Sequence, residues 1–180
     1  MQQTITAKVQ VYVPKESEPL LKETMNTYSK ACNYVSEYIF KSNILKQSRL
    51  NKDLYYIIRD KFNLKAQMTQ SVLKTVIAKY KTILTNQKEW IKPVFKKPQY
   101  DLVWNRDYSI TDNIFSVNTL TGRVKLDYAK KYMSKYFDKS KYSFGTAKLV
   151  YRKGKFFLHI PVTFEIKDNS LSDICNVVGI

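Results

Sequence analysis

The apolar residues change period twice along this chain, and the order of those changes limits its fold more than any other feature. Over residues 4–13 they alternate. Ile5, Ala7, Val9, Val11 and Val13 share one side, and Thr6, Lys8, Gln10 and Tyr12 share the other. That is the period of a half-buried strand. Pro14 ends it and can open a helix, because a proline in the first turn loses no hydrogen bond. Glu16 and Glu18 follow, where the helix dipole favours acids. Leu21, Met25, Tyr28, Cys32, Val35 and Ile39 then recur at intervals of three and four, which predicts a long amphipathic helix.

Two further segments keep the helical period. Residues 54–62 carry Leu54, Ile57, Ile58 and Phe62. Residues 67–88 carry Met68, Val72, Val76, Ile77, Tyr80 and Leu84 on one side. Tyr80 therefore reads as core. No glycine precedes Gly122, so the helices are expected to run with few flexible joints. Pro93 and Pro98 end this texture. Strand-like runs follow at 107–111, 114–118, 123–126, 146–151 and 155–164, with Gly122 and Gly154 between runs. Arg152-Lys153-Gly154-Lys155 reads as a hairpin tip. A strand, then helices, then strands predicts an α+β fold in which helices interrupt a β domain.

Charge narrows the function. Thirty-one Lys and Arg oppose 15 Asp and Glu, a net charge of +16. Such an excess fits either a polyanion partner or a basic solvated face. Fourteen Tyr, nine Phe and two Trp, many beside Lys or Arg, favour nucleic acid, since cations hold phosphates and rings stack on bases. Residues 123–155 hold 11 basic residues against Asp127 and Asp138, a local +9 that marks a candidate phosphate-binding surface. It contains Arg123, Lys125, Lys130, Lys131, Arg152, Lys153 and Lys155. Lys96 and Lys97, with Tyr100 following, form a second basic patch that suits a nucleic-acid backbone or a solvated loop. Tyr128, Tyr132 and Tyr136 are spaced by four, so a short helix would align them, with Tyr142 nearby. Packing and stacking on RNA are both open for this run.

Other classes find little support. No run of 18 apolar residues exists and the N-terminus lacks a signal pattern, so a cytoplasmic protein without a membrane partner is expected. Cys32 and Cys175 have no paired spacing and read as small buried residues. His159 is the only histidine and reads as structural, which argues against a transposase that needs two close histidines. The five arginines form no recombinase-like cluster around a tyrosine. Asp101, Asp107 and Asp112 lack carboxylate partners at useful spacing and read as structural. No catalytic residue, metal ligand or cofactor is expected in this chain.

Four segments, in order, resemble one family. They are "VQVYVPKESEPLLKETMNTYSKACNYV" (9–35), "AQMTQSVLKTVIAKYKTI" (66–83), "PVFKKPQYDLVWNRDYSI" (93–110) and the closing "VVGI". Together they look like the TnpB family, transposon-encoded RNA-guided DNA nucleases related to the small type V CRISPR effectors. The resemblance implies a wedge-type β-barrel from residues 1–13 and 93–168, with a helical recognition domain at 14–92 inserted into it. It implies a linker and the first part of a RuvC-like strand at 169–180. Guide RNA and target double-stranded DNA are the implied partners, with base pairing reading most of the sequence. In the family the last strand continues into the first carboxylate of a magnesium-dependent nuclease. This chain is therefore expected to be the binding half of such an enzyme, or a stand-alone non-catalytic RNA- or DNA-binding protein.

The same resemblance points to residues that read a short DNA motif. Gln70 matches a reading glutamine, and a helical Gln can grip adenine, although an exposed polar residue fits as well. Lys52 and Lys65 fall near other reading positions. Asn105 and Arg106 fall where the family sets polar groups against the motif, and each can meet a base edge or a phosphate. Trp104 beside them suits core or a stacking platform.

Overall fold

The computed structural model describes residues 1–87 and 89–165. Strand β1 (Gln2–Tyr12) is paired on both sides. It runs antiparallel to β8 (Lys155–Glu165) from Gln2↔Glu165 to Val11↔Phe156, and meets β5 (Arg123–Tyr128) at Val11↔Tyr128 and Tyr12↔Asp127. The alternation read from the sequence holds: Ala7, Val9 and Val11 are buried, and Thr6, Lys8 and Tyr12 are exposed.

The chain then leaves the sheet for three helices, α1 (Glu18–Ser42), α2 (Gln47–Phe62) and α3 (Ala66–Gln87). Pro14 does not open α1. Its carbonyl accepts the N–H groups of Ser17 and Glu18, which closes a 3-10 turn, and Pro19 occupies the first turn of the helix instead. All six predicted core positions of α1 are buried. α2 begins seven residues before the periodic segment and contributes Leu50 to the core. Asparagine supplies the joints that the missing glycines do not. Asn43 (φ 56°) and Asn63 (φ 48°) end α1 and α2 in the left-handed region, which short polar side chains tolerate.

Beyond Pro93 come β2 (Gln99–Leu102), β3 (Tyr108–Thr111), β4 (Ile114–Asn118), β5, the single-turn α4 (Lys130–Met133), β6 (Ser143–Phe144), β7 (Ala147–Arg152) and β8. β2, just after the prolines, and the two-residue β6 were not expected. The sheet order is β2-β7-β8-β1-β5-β4-β3, with β6 also on β8 and every ladder antiparallel. Among the described residues no ladder joins β2 to β3, so the eight-stranded sheet is open where a closed barrel was expected. The cause is the turn between them. Val103 O accepts the N–H groups of Arg106, Asp107 and Tyr108, which folds residues 103–107 into a compact loop instead of a ladder. Tyr100 Oη bridges the gap by donating to Asn118 O at 2.8 Å.

The β7–β8 tip follows its sequence signal. Arg152 pairs with Lys155, and Lys153 (φ 50°) and Gly154 (φ 76°) both take positive φ, as a two-residue type I′ turn requires. The core is continuous from the helices into the sheet, with Tyr80, Tyr100, Tyr108 and Tyr128 among its largest buried side chains. Tyr128 is therefore core. Tyr136 packs against Tyr142 with centroids 6.4 Å apart, and the side chain of Tyr132 lies outside the described residues. Trp104 is half-buried between Tyr108 and Phe144. Residues 166–180, with the expected linker, RuvC-like strand and Cys175, also lie outside them. No helix among the described residues is long and apolar enough to cross a membrane.

Candidate nucleic-acid interface

A strap at residues 93–98 sets the position of the first basic patch. Its prolines bar regular structure, and α1 takes up its backbone groups instead. Ser36 Oγ donates to Pro93 O at 2.7 Å, and Asn33 Nδ2 donates to Phe95 O at 2.9 Å. Phe95 N donates back to Asn33 Oδ1 at 2.8 Å, and Tyr151 N donates to Pro98 O at 2.9 Å. Phe95 turns inward and Lys96 and Lys97 stay exposed, with no ion pair among the described residues.

Three adjoining depressions surround the strap. The first, about 490 Å³, is ringed by Lys79, Lys96, Lys97 and Lys148. The second, about 340 Å³, adds Lys22 and Lys30 beside Lys96. The third, about 800 Å³, adds Lys8 and Arg152 beside Lys97. Among the described residues Asp101 is the one carboxylate that lines any of them, and Lys148 Nζ pairs with it at 2.5 Å. Tyr28 Oη donates to its other oxygen at 3.1 Å, and Thr75 Oγ1 donates there too. Burial, with the Asp101 charge beside it, holds the Tyr28 phenol well above its ordinary range. The carboxylate is thus neutralised from within, and the surface above it remains cationic.

A second cluster joins the start of α3 to the β3–β5 strands. Lys65 Nζ donates to Asn118 Oδ1 at 2.6 Å, and Arg106 Nη1 donates to Gln67 Oε1 at 2.9 Å. Arg123 laces the strands together. It donates to Ser116 Oγ and O at 2.9 and 3.0 Å, to Ser109 Oγ at 3.4 Å and to Arg106 O at 3.1 Å. Beneath them Asp107 is fully buried and accepts from Val103 N at 3.0 Å. Burial raises its carboxyl pKa, against the opposing pull of the Val103 and Asn118 hydrogen bonds and of Arg123 and Lys65. Asn105 is exposed at φ 61°, a turn conformation that asparagine tolerates.

The fold brings some predicted residues together and separates others. Lys65, Arg106 and Arg123 converge, and Gln70 lies half-buried one turn beyond Gln67. Lys52 is exposed on α2, and among the described residues no hydrogen bond or ion pair joins it to that group. The +9 stretch is divided. Arg123 and Lys125 occupy the start of β5, on strand positions that face outward. Lys130 pairs with Asp127 at 3.0 Å past the other end of that strand, and Lys131 is exposed beside it. Arg152, Lys153 and Lys155 are exposed at the β7–β8 tip. The tip sits at this second end, because Val11 pairs with both Phe156 and Tyr128, about 10 Å apart across β1.

Tyr100 needs correcting as a backbone contact. It is 0% exposed with its hydroxyl bonded to Asn118, so its ring supports the patch from below and offers no surface. Sequence reasoning missed Lys8, Lys22, Lys30, Lys79 and Lys148, although Lys8 was legible as an outward position of β1. Among the described residues no three His, Cys, Asp or Glu side chains gather into a metal-ligand set. No protein-family model matches this chain, and a search of curated proteins finds no match.

Proposed function

We propose that this chain binds nucleic acid through its phosphates, using the surface pinned around the 93–98 strap. One observation carries the reading. Three adjoining depressions share a lysine-rich lining whose single carboxylate among the described residues is already matched by Lys148. A field of one sign over concave ground concentrates a polyanion there. Membership of the +9 stretch matters less than this assembly, since Lys8, Lys96 and Arg152 come from distant parts of the chain.

The sequence resemblance supports a narrower form. In it the chain is the recognition half of an RNA-guided DNA nuclease of the TnpB type. The helices α1–α3 form its recognition domain, and the open sheet takes the place of the wedge domain. The lysine surface holds the guide RNA scaffold, while Gln70, Asn105 and Arg106 face a short motif in target duplex DNA. The role of this chain in that assembly is binding.

Binding of a structured RNA hairpin and of duplex DNA, each titrated with salt, tests the general reading. Log affinity is expected to fall linearly with log salt, with a slope near −0.9 per duplex phosphate engaged. The double variant Lys96→Glu, Lys97→Glu should weaken every sequence alike. Absence of binding at low salt, or affinity indifferent to salt, overturns the proposal.

A further inference from the structure

Among the described residues the third depression lies on the outer face of the sheet, and its floor is aromatic. On β8, Phe157 and His159 are two residues apart and so point to the same face, about 7 Å from one another. Both are half-buried. The ladder register fixes their neighbours. Lys8 on β1 and Lys148 on β7 lie directly opposite His159 on either side, and Gln10 and Val150 flank Phe157 in the same way. Lys97, Pro98 and Gln99 form one wall of the depression, and Tyr151 and Arg152 form another. No Asp or Glu among the described residues lines it.

We infer that this face is a stacking platform for unpaired bases, with Phe157 and His159 as the rings and Lys8, Lys97 and Arg152 as the phosphate contacts. Two rings of one face, spaced along one strand and bordered by cations, suit a splayed single strand whose bases are free to stack. A duplex hides its base faces, so it can use only the cations. Burial, with Lys8 and Lys148 on either side, lowers the His159 pKa and so favours the uncharged ring. The inference rests on the nucleic-acid reading above and adds to it a class of ligand, single-stranded RNA or DNA, and a second mode of contact.

The test uses the full chain, a 12-nucleotide oligouridylate and a 12-base-pair duplex. The variant Phe157→Leu, His159→Gln keeps side-chain bulk and polarity but removes both aromatic faces. It should weaken oligouridylate binding roughly tenfold or more and leave duplex binding within about twofold. Lys96→Glu, Lys97→Glu should weaken both ligands. If the ring variant binds oligouridylate as the parent does while the lysine variant still weakens, the stacking inference falls and the nucleic-acid reading stands. If the parent binds neither ligand at low salt, both fall. Should the ring variant not fold, the exposed Lys8→Glu replaces it. Unchanged oligouridylate affinity in that variant likewise overturns the platform.

Discussion

Lys65 Nζ lies 2.6 Å from Asn118 Oδ1, and this hydrogen bond ties the residue before α3 to the end of β4. The same ammonium reaches Gly122 O at 3.5 Å. A lysine held in this way serves the joint between the helices and the sheet. Lys65→Met should therefore cost stability, about 1–2 kcal/mol for a partly exposed charged hydrogen bond. For a chain of this length the melting temperature should drop by roughly 2–8 °C. Sequence preference should not change once the loss of stability is allowed for. A variant that melts like the parent but loses discrimination between duplex motifs would return Lys65 to a reading role.

Asp101 is the polar centre under the lysine surface, and its removal should be felt across three elements. Asp101→Ala removes the shared acceptor of the buried Tyr28 hydroxyl on α1, the Thr75 hydroxyl on α3 and the Lys148 ammonium on β7, and leaves the two hydroxyls only each other at 3.2 Å. An unsatisfied buried donor costs about 1–3 kcal/mol. Tyr28→Phe removes one donor and should cost only about 0.5–1.5 kcal/mol. Chemical denaturation of both variants checks the ranking. Equal losses would show that Asp101 does not organise the site.

Much of the fold was legible where a period ran long enough to be counted. β1, α1, α3 and the β7–β8 tip all met that condition. β6 has only two residues, and β2 directly follows the proline-broken strap. The start of α2 hid in the polar run from Gln47 to Asp53, where Leu50 alone is buried. The site was harder, because it is assembled by register. Lys8 faces His159 and Lys148 only through ladders that join residues far apart in sequence. Tyr100 shows the same limit in reverse. Its place near Lys96 and Lys97 in sequence could not reveal that strand alternation turns its ring into the core.

The hairpin tip offers a way to separate charge from turn geometry. Lys153 holds φ 50°, which costs a non-glycine residue roughly 1–2 kcal/mol, while Gly154 at φ 76° avoids that cost. Lys153→Asn restores the favoured Asn-Gly turn and should raise stability by a few tenths of a kcal/mol to about 1 kcal/mol. It also removes one cation from the tip, so phosphate binding should weaken slightly and the salt slope should fall in magnitude by up to about one. Gly154→Ala should lower stability by a similar amount while leaving the charge intact. If both variants change binding equally, the tip acts through its shape.

Motif reading should separate from backbone binding. Gln70→Ala and Arg106→Ala remove groups at the α3–β3 junction, where the Arg106 guanidinium is exposed apart from its bond to Gln67. If these side chains meet base edges, each loss should reduce discrimination between a motif duplex and a scrambled one by roughly 1–3 kcal/mol. Lys96→Glu, Lys97→Glu should instead lower both affinities and keep their ratio. Competition between the two duplexes gives the ratio directly. An unchanged ratio after replacing Gln70, Asn105 and Arg106 together would remove these residues from the reading site.

His159 makes the occupied and empty platform distinguishable by pH. Burial, with Lys8 on β1 and Lys148 on β7 facing it, lowers its pKa below the ordinary 6.5, and Asp101 offsets part of the Lys148 charge through its ion pair. Well above pH 6.5 the ring is neutral in both folded and unfolded chains, and its contribution to stability is complete. As pH falls below that value the unfolded chain takes up a proton first. Stability should therefore decline through the window down to the folded pKa, then level off for this group. A bound phosphate beside Lys8 reverses the local sign, because an anion favours the imidazolium. Binding should accordingly tighten on acidification, and His159→Gln should flatten that dependence. As the chain has a single histidine, its imidazole resonances can be followed without overlap by NMR. The expected result is a pKa below 6.5 in the free chain that rises on adding oligouridylate. A pKa that stays fixed at saturating oligonucleotide would place the bound phosphates away from Lys8 and Lys148.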